Sequence, residues 1–178
     1  MTEHLRASPP QRYEEISQHL LEQAQRELDN GDTLQASEKA WGATAHAIKA
    51  VAQQRGWNHH AHNNLRDAAV YIGFAHDRQD LRQLFQYLEA FHRNYYEHQR
   101  EAGEVQDAID GAAVLTREMA RLRREDPPAR QDHLSPSQAA EQERRLRRLT
   151  TKTRHSHGDV YGADQLDTLP PVRPSPVQ

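Results

Sequence analysis

Asn30-Gly31-Asp32-Thr33-Leu34-Gln35-Ala36-Ser37-Glu38-Lys39-Ala40-Trp41-Gly42-Ala43 is the stretch that decides the fold of this chain. A glycine after asparagine is the usual left-handed stop of a helix. Asp32 comes directly after it as an N-cap, with Gln35 placed for a capping box. One helix therefore ends and another begins within a single turn. The second helix carries a seam of small residues, Ala36, Ala40, Ala43, Ala47 and Ala50, at near-heptad spacing. Small side chains let a second helix backbone approach closely, so the seam predicts the most tightly packed surface of the protein. Trp41, Ile48 and Val51 flank it with bulk.

Upstream of the break, Tyr13, Ile16, Leu20, Ala24 and Leu28 recur at intervals of three and four after Pro9-Pro10, the pattern of an amphipathic helix. Downstream, Gly56 closes the second helix and a turn rich in histidine (His59, His60, His62) leads to a shorter one. That helix runs through Leu65, Ala68, Ala69 and Ile72 and is expected to stop near Gly73. A fourth is predicted from about Asp77, striped with Leu81, Leu84, Phe85, Leu88, Phe91 and Tyr95. A fifth carries Val105, Ala108, Ile109, Ala112, Leu115, Met119 and Leu122 and is stopped by Pro127-Pro128. No alternating strand pattern persists anywhere. The fold class expected is all-α, an antiparallel four- to five-helix bundle over residues 10–126.

Residues 127–178 hold few large apolar side chains and several prolines. Such a segment cannot bury enough surface to offset its ordering entropy, so a disordered tail is expected. A short helix is predicted within it at 137–150. Its Arg144, Arg145, Arg147 and Arg148 make the tail locally basic, a candidate grip on nucleic-acid phosphates. The competing reading is a charged tail with no particular ligand.

The bulk composition narrows the class. At 178 residues the chain is long enough for one domain with a real core. Its mean hydropathy of −1.04 is low for a compact globule. A net charge of −3 argues against a general polyanion binder. The absence of cysteine excludes disulfides and thiolate zinc sites and is compatible with a reducing compartment. With no apolar leader and no membrane-length run, a cytoplasmic protein without membrane contact is expected.

The chemistry concentrates at the end of the fourth helix, in Phe91-His92-Arg93-Asn94-Tyr95-Tyr96-Glu97-His98. RNA cleavage by attack of its own 2′-hydroxyl needs a base, an acid and a cation for the phosphate oxygens. Imidazole serves the first two roles near neutral pH, and guanidinium serves the third. No metal or cofactor is required. The bare Arg–His spacing carries little weight in a chain with 12 histidines, and Arg12–His19, Arg55–His60 and Arg148–His155 are decoys. Arg93 differs in its context. An amide stands directly after it, and it lies on a strongly patterned helix.

Asn94 and His98 are four apart and share a face, whereas Arg93 lies about 140° from His98 on an ideal helix. Tyr96 and Glu97 are expected to flank the cleft. One histidine cannot easily be both base and acid, so two copies facing each other across a dimer would complete the set. The alternative is an ordinary solvated helix end with Glu97 pairing Arg93. For His59, His60 and His62 a solvated turn is expected over a metal site. Trp41 is expected in the core rather than stacked on a base.

The order of helices, the Gly31-Asp32 break, the segment Ala36–Ala43 and Arg93-Asn94-x3-His98 resemble the HEPN domain superfamily. Lys39-Ala40-Trp41-Gly42-Ala43 with Lys49-Ala50 and Gly56 is most similar to its PaREP-type (archaeal-repeat) branch, over about residues 12 to 122. Arg93, Asn94 and His98 fill the motif of that superfamily without substitution. The resemblance implies a helical bundle and a homodimer whose two motifs line one cleft. In active members it implies metal-independent endoribonuclease activity, often as a toxin paired with a nucleotidyltransferase-like antitoxin. Other members imply non-catalytic RNA or nucleotide binding. A helical protein-interaction scaffold is the third reading.

Overall fold

The computed structural model describes residues 7–95, 100–126 and 131–151, with the backbone alone at Asn94. Six helices succeed one another: α1 (Pro9–Asp29), α2 (Thr33–Gln54), α3 (His62–Ala75), α4 (Gln79–Asn94), α5 (Ala102–Arg123) and α6 (Pro136–Thr150). The described residues contain no strand. None of these helices is long and apolar enough to cross a membrane.

The α1–α2 break forms as the sequence requires. Gly31 takes φ 82°, a left-handed conformation that a side chain would strain, and Asp32 Oδ1 accepts from the Gln35 N–H at 2.9 Å. The two helices then run back along each other. Helix α2 is the centre of the bundle, contacting α1, α3, α4 and α5. Ala36, Ala40, Ala43, Ala47 and Ala50 are all buried, so the seam is what lets four neighbours close on one helix. Phe85, Ile48, Ile72, Leu81, Leu115 and Met119 fill the spaces between. A buried hydroxyl link, Ser17 Oγ to Ala43 O at 2.7 Å and to Thr116 Oγ1 at 3.2 Å, ties α1, α2 and α5 together.

Helix α3 ends at Ala75, two residues past Gly73, as expected. Gly73 is also a close-approach position. A Cβ there would lie 2.2 Å from Arg82 Cγ and 3.2 Å from the Arg78 carbonyl. The Arg82 guanidinium lies 3.7 Å from the Phe74 ring centre, locking α4 against α3.

Of the histidine turn, His60 and His62 are exposed as expected and only His59 is drawn in. His59 is buried, donating from Nδ1 to the Trp57 carbonyl at 2.8 Å, with its Nε2 3.3 Å from Tyr13 Oη. His62 begins α3 and bonds into the next helix.

The helix expected at 137–150 is α6, and it packs on α3. Leu149 is fully buried, and the Asn58 N–H donates to the Leu149 carbonyl at 2.7 Å. Arg148 grips Asp67 through Nε and a terminal nitrogen at 2.7 and 2.8 Å. Residues 131–151 are thus part of the folded unit, which extends past the boundary expected at 126. Leu149 with Leu146 and the buried Gln142 beside it, a backbone bond and a forked ion pair make up the docking, a combination that low average hydropathy conceals.

Candidate functional site

The last turn of α4 is fixed from its apolar side. Phe91 and Tyr95 are buried, and Tyr95 Oη lies 2.8 Å from Thr33 Oγ1 at the start of α2. Arg100, just before α5, places its guanidinium 5.2 Å from the Phe91 ring centre. On the opposite side Arg93 reaches solvent, its side chain 58% exposed. Tyr96, Glu97 and His98 lie outside the described residues, as does the side chain of Asn94.

Arg93 belongs to a polar cluster that sequence reasoning missed. Leu81, Phe85, Glu89 and Arg93 recur every four residues on α4, so Glu89 continues a row that begins as core. Its side chain is only 6% exposed. Glu89 Oε1 accepts from Arg66 Nε at 2.9 Å and lies 2.8 Å from a second Arg66 nitrogen. His62 Nε2 is 3.1 Å from the same oxygen. Glu89 Oε2 faces the Arg93 guanidinium at 3.9 Å. A buried carboxylate is costly unless such partners surround it. Here it gathers two guanidiniums and an imidazole from α3 and α4, all three of which extend toward solvent. A carboxylate on a core-facing row was the available sequence signal.

Beside this cluster stands Trp41, buried as expected. The His92 ring stacks on it at 5.1 Å with 10° between the planes. The His62 ring lies 5.9 Å away from the same indole. His92 Nδ1 is 3.3 Å from Glu38 Oε1, close enough for an ion pair yet misaligned for a hydrogen bond. That nitrogen is buried with no hydrogen-bond partner among the described residues. Burial pulls the His92 imidazole below the usual histidine range, opposed by the nearby Glu38 carboxylate.

Two imidazoles thus flank one indole where α2, α3 and α4 meet, His92 beside Glu38 and His62 on the Glu89 carboxylate that also holds Arg66 and Arg93. Such a set can bind an anion and move a proton. Among the described residues no group of three or more His, Asp or Glu side chains could hold a metal ion.

The α6 arginines lie elsewhere and are mostly engaged. Arg145 pairs with Glu141 at 2.6 Å, Arg147 with Glu143 at 2.6 Å, and Arg148 with Asp67. Arg144 is exposed. Arg148 and Asp67 hold α6 to the bundle, and the structure does not bring these arginines to Arg93.

No curated protein and no solved structure matches this chain. Residues 12–115, more than half of its length, match the archaeal PaREP1/PaREP8 family. That span runs from the start of α1 through the alanine seam and the Glu89 cluster into α5. The chain belongs to the archaeal PaREP1/PaREP8 family.

Proposed function

We propose that this protein is a metal-independent endoribonuclease of the HEPN type, acting in the cytoplasm as a homodimer and as the toxin opposed by a nucleotidyltransferase-like antitoxin. Arg93 clamps the scissile phosphate, Asn94 orients it and His98 transfers a proton. The observation that carries this reading is the exposed Arg93 guanidinium, tethered to a buried carboxylate that also anchors Arg66 and His62. Two guanidiniums share that single buried anion, so an added phosphate would meet net positive charge and fixed donors.

The test is cleavage of single-stranded RNA by the purified protein. Products should carry 2′,3′-cyclic phosphate and 5′-hydroxyl ends, and cleavage should persist in EDTA. Arg93→Ala and His98→Ala should each lower the rate at least about 100-fold, the usual worth of a lost electrostatic or proton-transfer group. Saturable RNA binding without products would mark a non-catalytic binding module. Unchanged cleavage in both variants would remove the motif from the chemistry.

A further inference from the structure

Two carboxylates lie below the surface on either side of α3, and each pins guanidiniums that reach solvent. On one side Glu89 of α4 accepts from Arg66 Nε at 2.9 Å and faces Arg93 at 3.9 Å. On the other, Asp67 has a side chain only 15% exposed and accepts from Arg148 of α6 through two nitrogens at 2.7 and 2.8 Å. Arg144 stands one turn before Arg148 on the same face of α6 and is exposed. Arg66 and Asp67 are consecutive residues, so α3 itself joins the two pins.

We propose that these four arginines form a track for single-stranded RNA, whose backbone crosses the outer face of α3 from Arg93 and Arg66 to Arg148 and Arg144. This rests on the ribonuclease reading of the Arg93 site and narrows its substrate to a strand long enough to reach α6.

The charges are layered in the way a backbone track requires. The carboxylates of Glu89 and Asp67 lie beneath and the guanidiniums above, so a strand at the surface meets the cations first. Arg66 and Arg148 each commit Nε and Nη2 to their carboxylate, which leaves Nη1 to donate to a phosphate oxygen. Because these side chains are already held, less ordering is needed when the strand binds. Arg145 and Arg147 are paired with Glu141 and Glu143 within α6 and are not counted. The chain as a whole carries −3, so the attraction is confined to this band.

The crest between the pins selects the class of ligand. Asn63 and Val70 fall between Arg66 and Asp67 around an ideal helix; Asn63 is exposed and Val70 half-buried. An amide there can add a phosphate contact. The crest offers none of the apolar centre that a protein partner would bury. A helix with its side chains is about 10–12 Å across, so the arginines on its two flanks serve different phosphates of one strand.

The experiment is binding of a 2′-O-methyl oligouridylate, which lacks the attacking hydroxyl and is not cut, followed by fluorescence anisotropy over a range of salt. Cleavage of unmodified RNA is assayed beside it. For a single strand, log affinity falls against log salt with a slope of about −0.7 per phosphate neutralised. Arg66→Gln, Arg93→Gln, Arg144→Gln and Arg148→Gln should each flatten that slope by about 0.7, and Arg93→Gln combined with Arg148→Gln by about twice as much. Arg117→Gln, exposed on α5, which does not contact α3, should leave it unchanged. Hydrogen exchange in α6 checks that Arg148→Gln stays docked, and Arg144→Gln gives the same reading without touching the Asp67 pair. If both α6 variants keep the parental slope while Arg66→Gln and Arg93→Gln flatten it, the track is overturned and the Arg93 site stands. Tighter binding of polyglutamate than of the oligouridylate, with the same dependence on these arginines, would give the band to an acidic protein and overturn the RNA track. A parent that cuts RNA but does not bind the oligouridylate removes the track alone; one that neither binds nor cuts removes both readings.

Discussion

Lowering the pH should destabilise this protein through His46, by an amount the structure sets. His46 lies on α2, half-buried, with the Tyr13 ring 5.9 Å away and Nδ1 donating to the Gly42 carbonyl at 2.8 Å. Burial moves its pKa from 6.5 down to about 4, helped by the nearby Lys49 charge and opposed by the Gly42 bond. The unfolded chain therefore binds a proton at a higher pH than the folded one. The stability this confers is fully present above about pH 6.5 and is lost as the pH falls toward the folded value. Between about pH 7 and about pH 4.5 the loss from this one group is about 2 kcal/mol.

Carboxylates and other histidines titrate over the same interval, so the measurement is a difference of differences. Urea unfolding of the parent and of His46→Gln, each at both pH values, isolates the contribution of this ring. Glutamine can still donate to a carbonyl but cannot take up the proton. The variant should lose about 2 kcal/mol less than the parent on acidification. If the two proteins lose stability equally, His46 is not held neutral by burial and the reasoning fails.

Packing and charge pairing set three further outcomes. Gly73→Ala should cost about 1–3 kcal/mol by overpacking against Arg82 and the Arg78 carbonyl; a double-mutant cycle with Arg82→Ala should recover the side-chain part of that loss in thermal melts. Leu149→Ala should cost about 2–4 kcal/mol and strip hydrogen-exchange protection from α6, because the leucine is fully buried. Exchange rates in α6 matching those of an unfolded peptide in the parent would refute its docking. Arg148→Ala, whose side chain is 54% exposed, should cost no more than about 1 kcal/mol, and the cost should shrink in high salt.

The fold was legible because helix ends and faces are local properties. Asn30-Gly31-Asp32 announced the first hairpin, and the buried Ala36–Ala50 seam announced the central helix. Gly73 rightly marked a helix end close by, but glycine also marks close approaches, and only the position of Arg82 shows that second role. The docking of α6 was hidden for a related reason. Leu149 looks isolated in a polar segment, and its value depends on the shape of α3 and the carbonyl it offers to Asn58.

For the candidate site, the chain order drew attention to Arg93 because it stands beside an amide on a patterned helix, and the structure places it against Glu89. His62 and Arg66 stand four apart on α3, but Glu89 comes from α4, and no fixed spacing links the two helices. The amino-acid sequence by itself determined the helices, their order and the faces they bury, since periodicity and caps act over a turn or two. Tertiary structure alone decided that one buried carboxylate on α4 collects partners from α3 and stands beside Trp41 of α2. Burying a charge is a cost that only neighbours distant in the chain can offset, and those neighbours are found only once the helices have closed.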